Sequence, residues 1–169
     1  FTLTAIFTLS LGVGASTAIF SAVNPILFES LPYPEARQMM MMWDHGPDGT
    51  RQEVTFGTYR EIVLRSRSFE SLTVMRSWQP TLTGQAEPER LEGQRVTASY
   101  FQVLRVSPRL GRSFDDSDDR PDDSGGSKVA ILSDKLWRQR FGADPGILGR
   151  LISLDDDNYT VVGVMPNSF

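Results

Sequence analysis

The chain has 169 residues, 40% of them hydrophobic, a net charge of −4, one His and no Cys. That charge argues against a nucleic-acid surface, which needs clustered positive groups, and the many Arg residues are scattered along the chain. The lack of Cys excludes a disulfide framework, a thiolate metal site and a Cys nucleophile.

Residues 1–28, FTLTAIFTLSLGVGASTAIFSAVNPILF, carry no charged side chain. At about 1.5 Å of rise per residue, a helix of this length more than covers a hydrocarbon core of roughly 30 Å. The stretch therefore reads as a membrane-spanning helix. A cleaved signal peptide and a fully buried soluble helix are the competing readings; the first lacks its basic start here, and the second is rare without a charged face. Ser10, Gly14, Ala18 and Ala22 recur at every fourth position, so small side chains line one face on which a second helix could pack closely. Pro25 removes a backbone donor and crowds the Ser21 carbonyl, which predicts a kink or helix end there.

Beyond a linker at 29–36, the MMMMW run (Met39–Trp43) is apolar on both faces if extended and reads as a buried strand. The Gly- and Asp-rich DHGPDGTRQE that follows is a loop, and it holds the single His45. Thr55 can cap a helix with Phe56, Tyr59, Ile62 and Val63 on one face, which is expected to pack on a sheet. Leu72–Leu82 and Arg90–Val96 read as a hairpin around a turn at Gly84–Pro88, with Leu91 and Val96 pointing inward. Thr97 or Ser99 then caps a short helix carrying Tyr100, Phe101, Val103 and Leu104.

DDSDDRPDDSGG (Asp115–Gly126) lacks the alternating ligands, central Gly and closing Glu of an EF-hand and reads as a solvated loop, with the segment Asp115–Asp123 expected to be mobile. Val129–Leu132 is a short apolar strand, and Ser133 caps a helix that Gly142 stops. Trp137 and Phe141, four apart, are the structural anchors expected on its inner face. Asp144-Pro145 opens a single turn ending at Gly149, and two strands, Leu151–Leu154 and Tyr159–Val164, flank a DDDN turn.

Chemistry is hard to build from this inventory. One His in a Gly/Pro loop leaves no base beside a nucleophile, and no phosphate loop of the G-x-x-x-x-G-K-[ST] type is present. No catalytic, cofactor-binding or metal-ligating residue is therefore assigned, and a membrane-anchored hydrolase is disfavoured.

As a series, GVGASTAIFSAVN, LPYP, SRSFESL, LTG, EPERLEG, VTASYFQVL, LGRSF, VAILSDKLWRQRFG, DPGILGR and SLDDDNYTVVGVMP resemble the MacB-like periplasmic core domain of FtsX-like ABC transporter permeases, most of all the acidobacterial-type permeases. Pro25 and the DDDN turn depart from the usual pattern. The resemblance implies an α+β chain: a transmembrane helix (1–28), a linker (29–36) and a mixed α/β extracytoplasmic domain (37–169), incomplete at its C-terminus, outside the inner membrane. It further implies a permease homodimer or heterodimer driven by a separate cytoplasmic ATPase subunit, with the domain coupling that movement to export or release of substrates and carrying no catalytic residue. The alternative is a single-pass anchored binding or assembly module without transport activity.

Overall fold

The computed structural model describes residues 2–27, 35–84, 87–120 and 128–169. They fall into two units, Phe1–Gln38 and Met39–Phe169. The linker expected at 29–36 lies mostly outside the described residues.

In the first unit, α1 spans Thr2–Leu27 and is followed by a 3-10 turn at Ala36–Gln38. Its stretch Thr2–Asn24 is long and apolar enough to cross a membrane. Two of its hydroxyls return to their own backbone, Thr8 Oγ1 to the Thr4 carbonyl at 2.6 Å and Thr17 Oγ1 to the Val13 carbonyl at 2.8 Å. Such bonds let a polar side chain sit in an apolar environment without an unmet donor. The helix does not end at Pro25 but runs on to Leu27.

The second unit begins with a two-residue ribbon, β1 (Asp44–His45) against β2 (Arg51–Gln52), followed by α2 (Phe56–Arg65). Strands β3 (Met75–Trp78), β4 (Thr81–Thr83), β5 (Glu89–Arg90) and β6 (Gly93–Val96) lead to α3 (Tyr100–Leu104) and β7 (Leu110–Gly111). Then come β8 (Val129–Leu132), α4 (Asp134–Phe141), a 3-10 turn at Pro145–Ile147, β9 (Leu151–Leu154) and β10 (Asp157–Val164).

The main sheet has six strands, and β10 is its axis. Its first half pairs antiparallel with β9, which continues to β4 and β5; its second half pairs parallel with β8 and antiparallel with β7. A parallel neighbour needs a crossover, and α4 is in that β8-to-β10 connection. The core lies where α4 meets the sheet: Ile147, Val161 and Val164 are fully enclosed, with Leu132, Trp137 and Phe141 around them. β3 and β6 form a separate two-stranded sheet.

Several expectations from sequence are corrected. Met39–Trp43 is not a strand and is not buried: Met40 is 72% and Trp43 45% exposed. Apolarity on both faces makes a central strand only where two neighbours flank it, and the described chain brings none there. The helix after Thr55 forms, with the Thr55 hydroxyl accepting the Thr58 amide at 3.2 Å, but among the described residues none of its side chains is buried, so it has no inner face of the kind expected. Leu72–Leu82 is split at Gln79-Pro80 into two strands, and the expected return strand is split likewise. Leu91 packs partly buried against the core and Val96 is half-buried, opposite Met75. Residues 85 and 86 of the expected turn lie outside the described residues.

Candidate functional site

Two features of helix α4 fix its place. Ser133 Oγ accepts the Leu136 amide at 3.2 Å, and Gly142, at φ +60°, ends the helix in the left-handed conformation that costs glycine least. Between them Trp137 and Phe141 are buried, and the indole Nε1–H donates to the Asp144 carbonyl at 2.8 Å, tying the anchor to the loop behind the helix. Gly149 also has positive φ, with open space where a Cβ would sit.

Asp134, in the first turn of α4, is only 4% exposed and sits between two half-exposed cations, Arg138 Nε at 2.6 Å and Arg109 Nη1 at 3.3 Å. Both guanidinium groups also lie 5.7 Å from the Trp137 ring centre. The hydrogen bond to Asp134 holds the Arg138 guanidinium above its ordinary pKa. A carboxylate at a helix N-terminus is doubly favoured, by the cations and by the exposed amides.

The start of the acidic segment, over 115–119, is largely exposed as expected, and it also carries an ordered set of bonds. Arg112 grips the Asp118 carboxylate with both terminal nitrogens, at 2.7 and 3.1 Å, and the Asp118 side chain is 5% exposed. The Asp115 amide donates to the same carboxylate, and the Ser117 hydroxyl and amide donate to Asp115. These Ser117 bonds hold the Asp115 carboxyl below its usual value. Asp119 takes the Ala98 amide at 2.9 Å ahead of α3; partial desolvation there pushes its carboxyl up, and the charges of Asp116 and Asp118 add to the rise. Residues 121–127 lie outside the described residues.

A pair of glycines missed by sequence reasoning explains why β7 can cross β10. A Cβ on Gly111, at φ +77°, would lie 2.1 Å from the Val162 carbonyl oxygen, and one on Gly163 2.7 Å from the Arg112 oxygen. The Gly-Arg of LGRSF was the available signal; its reason, a backbone approach that excludes every side chain, is tertiary.

Among the described residues no group of three or more His, Asp or Glu is placed to hold a metal ion, and no buried side-chain polar atom lacks a partner. His45 is exposed on β1. An open cleft of about 470 Å³ beside α3 has Phe101 and Phe114 in its lining, their rings 5.6 Å apart, and Arg105 beside them is paired with Glu70 at 3.2 Å. Ser10, Gly14, Ala18 and Ala22 lie along α1 and are exposed.

The model of the MacB-like periplasmic core domain matches residues 2–169. The chain belongs to this family. Its fold is similar to the extracellular domain of the noncanonic ABC-type transporter YknZ from Gram-positive bacteria, with a TM-score of 0.57 and 18% identity over 68% of this chain and 58% of that one. It is similar also to the periplasmic region of MacB from Actinobacillus actinomycetemcomitans, with a TM-score of 0.59 and 17% identity over 75% of this chain and 59% of that one. The chain thus spans less than two thirds of the length of either solved domain. Comparison with curated proteins finds no match. The mixed helix-and-sheet unit that follows the apolar helix in sequence thus has the fold of the MacB-like periplasmic core domain.

Proposed function

We propose that this chain is the part of an ABC transporter permease in which α1 spans the inner membrane and the domain from about residue 37 works on the extracytoplasmic side. There it couples movement driven by a separate cytoplasmic ATPase to export or release of a substrate, in a permease homodimer or heterodimer. The observation that carries the reading is the family match running unbroken from α1 through β10. The site chemistry supports it: buried charges are spent on fixing helix ends and loops, which suits a part that passes on conformational change and performs no bond chemistry. In this reading the small-residue face of α1 packs against another membrane helix, and Trp137, Phe141, Gly142 and Gly149 are structural.

The test begins from the absence of Cys. Lys135→Cys, on the exposed side of α4, should react in intact cells with a membrane-impermeant maleimide, and a protected thiol would overturn the topology. In liposomes, the parent permease with its ATPase should move substrate only with hydrolysable ATP. Binding of a partner without ATP-dependent transport would overturn the coupling.

A further inference from the structure

Strands β3 to β6 are one hairpin that has been divided between two sheets. The register never slips: Met75 faces Val96, Trp78 faces Gly93, Thr81 faces Arg90 and Leu82 faces Glu89. Yet β4 and β5 belong to the six-stranded sheet while β3 and β6 stand apart as a ribbon. The break falls where Pro80 faces Leu91. The Leu91 amide donates to the Pro80 carbonyl at 2.8 Å, but Pro has no N–H to return, so the ladder loses a rung there.

Across this break lies one side chain. Asp155, in the β9–β10 turn, accepts the Thr81 amide on Oδ1 at 2.8 Å, on the sheet side of Pro80, and the Trp78 indole N–H on Oδ2 at 3.2 Å, on the ribbon side. The Asp155 amide also donates to the Thr81 carbonyl at 3.0 Å. The Trp78 ring carries the Arg95 guanidinium of β6 at 4.6 Å and meets Tyr159 of β10 at 5.5 Å. A single carboxylate therefore grips one arm of the hairpin on both sides of the point where its hydrogen-bond ladder is interrupted.

We propose that the paired strands β3–β4 and β5–β6 hinge at Pro80 and that the Asp155 carboxylate, with the Trp78 indole, is the latch that sets the angle. The missing rung makes the bend soft. The latch is made of side-chain bonds near the surface, at the margin of the core, where Trp78 and Leu91 are partly buried against it. The latch stands on geometry alone; its use as a point where the ribbon is re-angled during transport rests on the transmission reading above.

The test is a distance measurement in the intact chain. Ser77→Cys on the ribbon and Lys135→Cys on α4, both exposed, take spin labels with no background thiol. Pulsed electron paramagnetic resonance should give one narrow distribution. Asp155→Asn keeps a residue that tolerates the left-handed turn but loses the shared negative charge, and Trp78→Phe keeps a ring but loses the donor. Each should broaden the distribution, and Pro80→Ala, which restores the amide, should narrow it again in the Asp155→Asn background. Asp156→Asn, next in the same turn, should leave the parent distribution unchanged. An unchanged distribution in both Asp155→Asn and Trp78→Phe, or equal broadening by Asp156→Asn, would overturn the latch. Because the distances are read without ATP, substrate or partner, a negative result bears on the latch and leaves the transport reading to its own assay.

Discussion

Helices α2 and α4 begin in the same way and end in opposite environments. Each is capped by a hydroxyl that accepts the amide three residues on, and each carries aromatic residues at helical spacing. Yet Trp137 is 4% exposed on α4, while Phe56 on α2 is 52% exposed. The Met39–Trp43 run before α2 is equally apolar and equally uncovered. Caps and periodicity decide that a helix forms and which face is apolar; they do not supply the surface that face will cover. For α4 that surface is the sheet around β10, built from strands on both sides of it in sequence.

Truncation should separate the two helices by the widest margin. Trp137→Ala and Phe141→Ala should each cost roughly 3–5 kcal/mol, since each removes a buried ring from a packed core. Phe56→Ala and Trp43→Ala should each cost less than about 1 kcal/mol. Chemical denaturation of the chain in detergent, followed by circular dichroism, reads both. Similar losses at all four positions would show that α2 has a buried face after all.

A second contrast sets Gly111 against Gly149. Both have positive φ, but only at Gly111 would a Cβ strike backbone. Gly111→Ala should cost about 2–4 kcal/mol, combining backbone strain with displacement of β10, and Gly149→Ala only about 1 kcal/mol. The same denaturation series checks the order.

The smallest expected effect lies in the acidic segment, which is locked down on one side and charged on the other. Asp119 has its carboxyl pKa raised above the ordinary 3.8. Its contribution to stability is therefore complete below that unfolded value and is lost as pH rises through the raised folded one, so at neutral pH the ionised form costs stability. Asp119→Asn should stabilise the chain at neutral pH, by under about 1 kcal/mol because solvent screens an exposed side chain, and the gain should vanish in acid. Asp115, with its pKa lowered, runs the other way: its contribution is present above 3.8 and lost as pH falls through the depressed folded value. Denaturation midpoints of parent and Asp119→Asn across that range give the sign directly.

Much of the second half was legible without coordinates. The strand Val129–Leu132, the Ser133 cap, the Gly142 stop, the Asp144-Pro145 turn and the β9–β10 pair all rest on short-range rules, because caps, turns and strand alternation act within a few residues. Of the DDDN turn only Asp155 and Asp156 form the turn, both at left-handed angles, φ 52° and 65°, as a two-residue hairpin turn requires, while Asp157 and Asn158 already pair with β9. The charge-free first stretch likewise announced α1.

What the sequence did not determine was which apolar segments find cover, why Gly111 is needed, and what Asp119 and Asp155 hold. Each of these depends on residues far apart along the chain: Gly111 on Val162, Asp119 on Ala98, Asp155 on Trp78 and Thr81. A local pattern states what a segment could bury or bond. Only closure of the sheet around β10 determines which distant backbone arrives there to be met, because that closure is a balance of long-range burial against chain entropy that no short window of sequence contains.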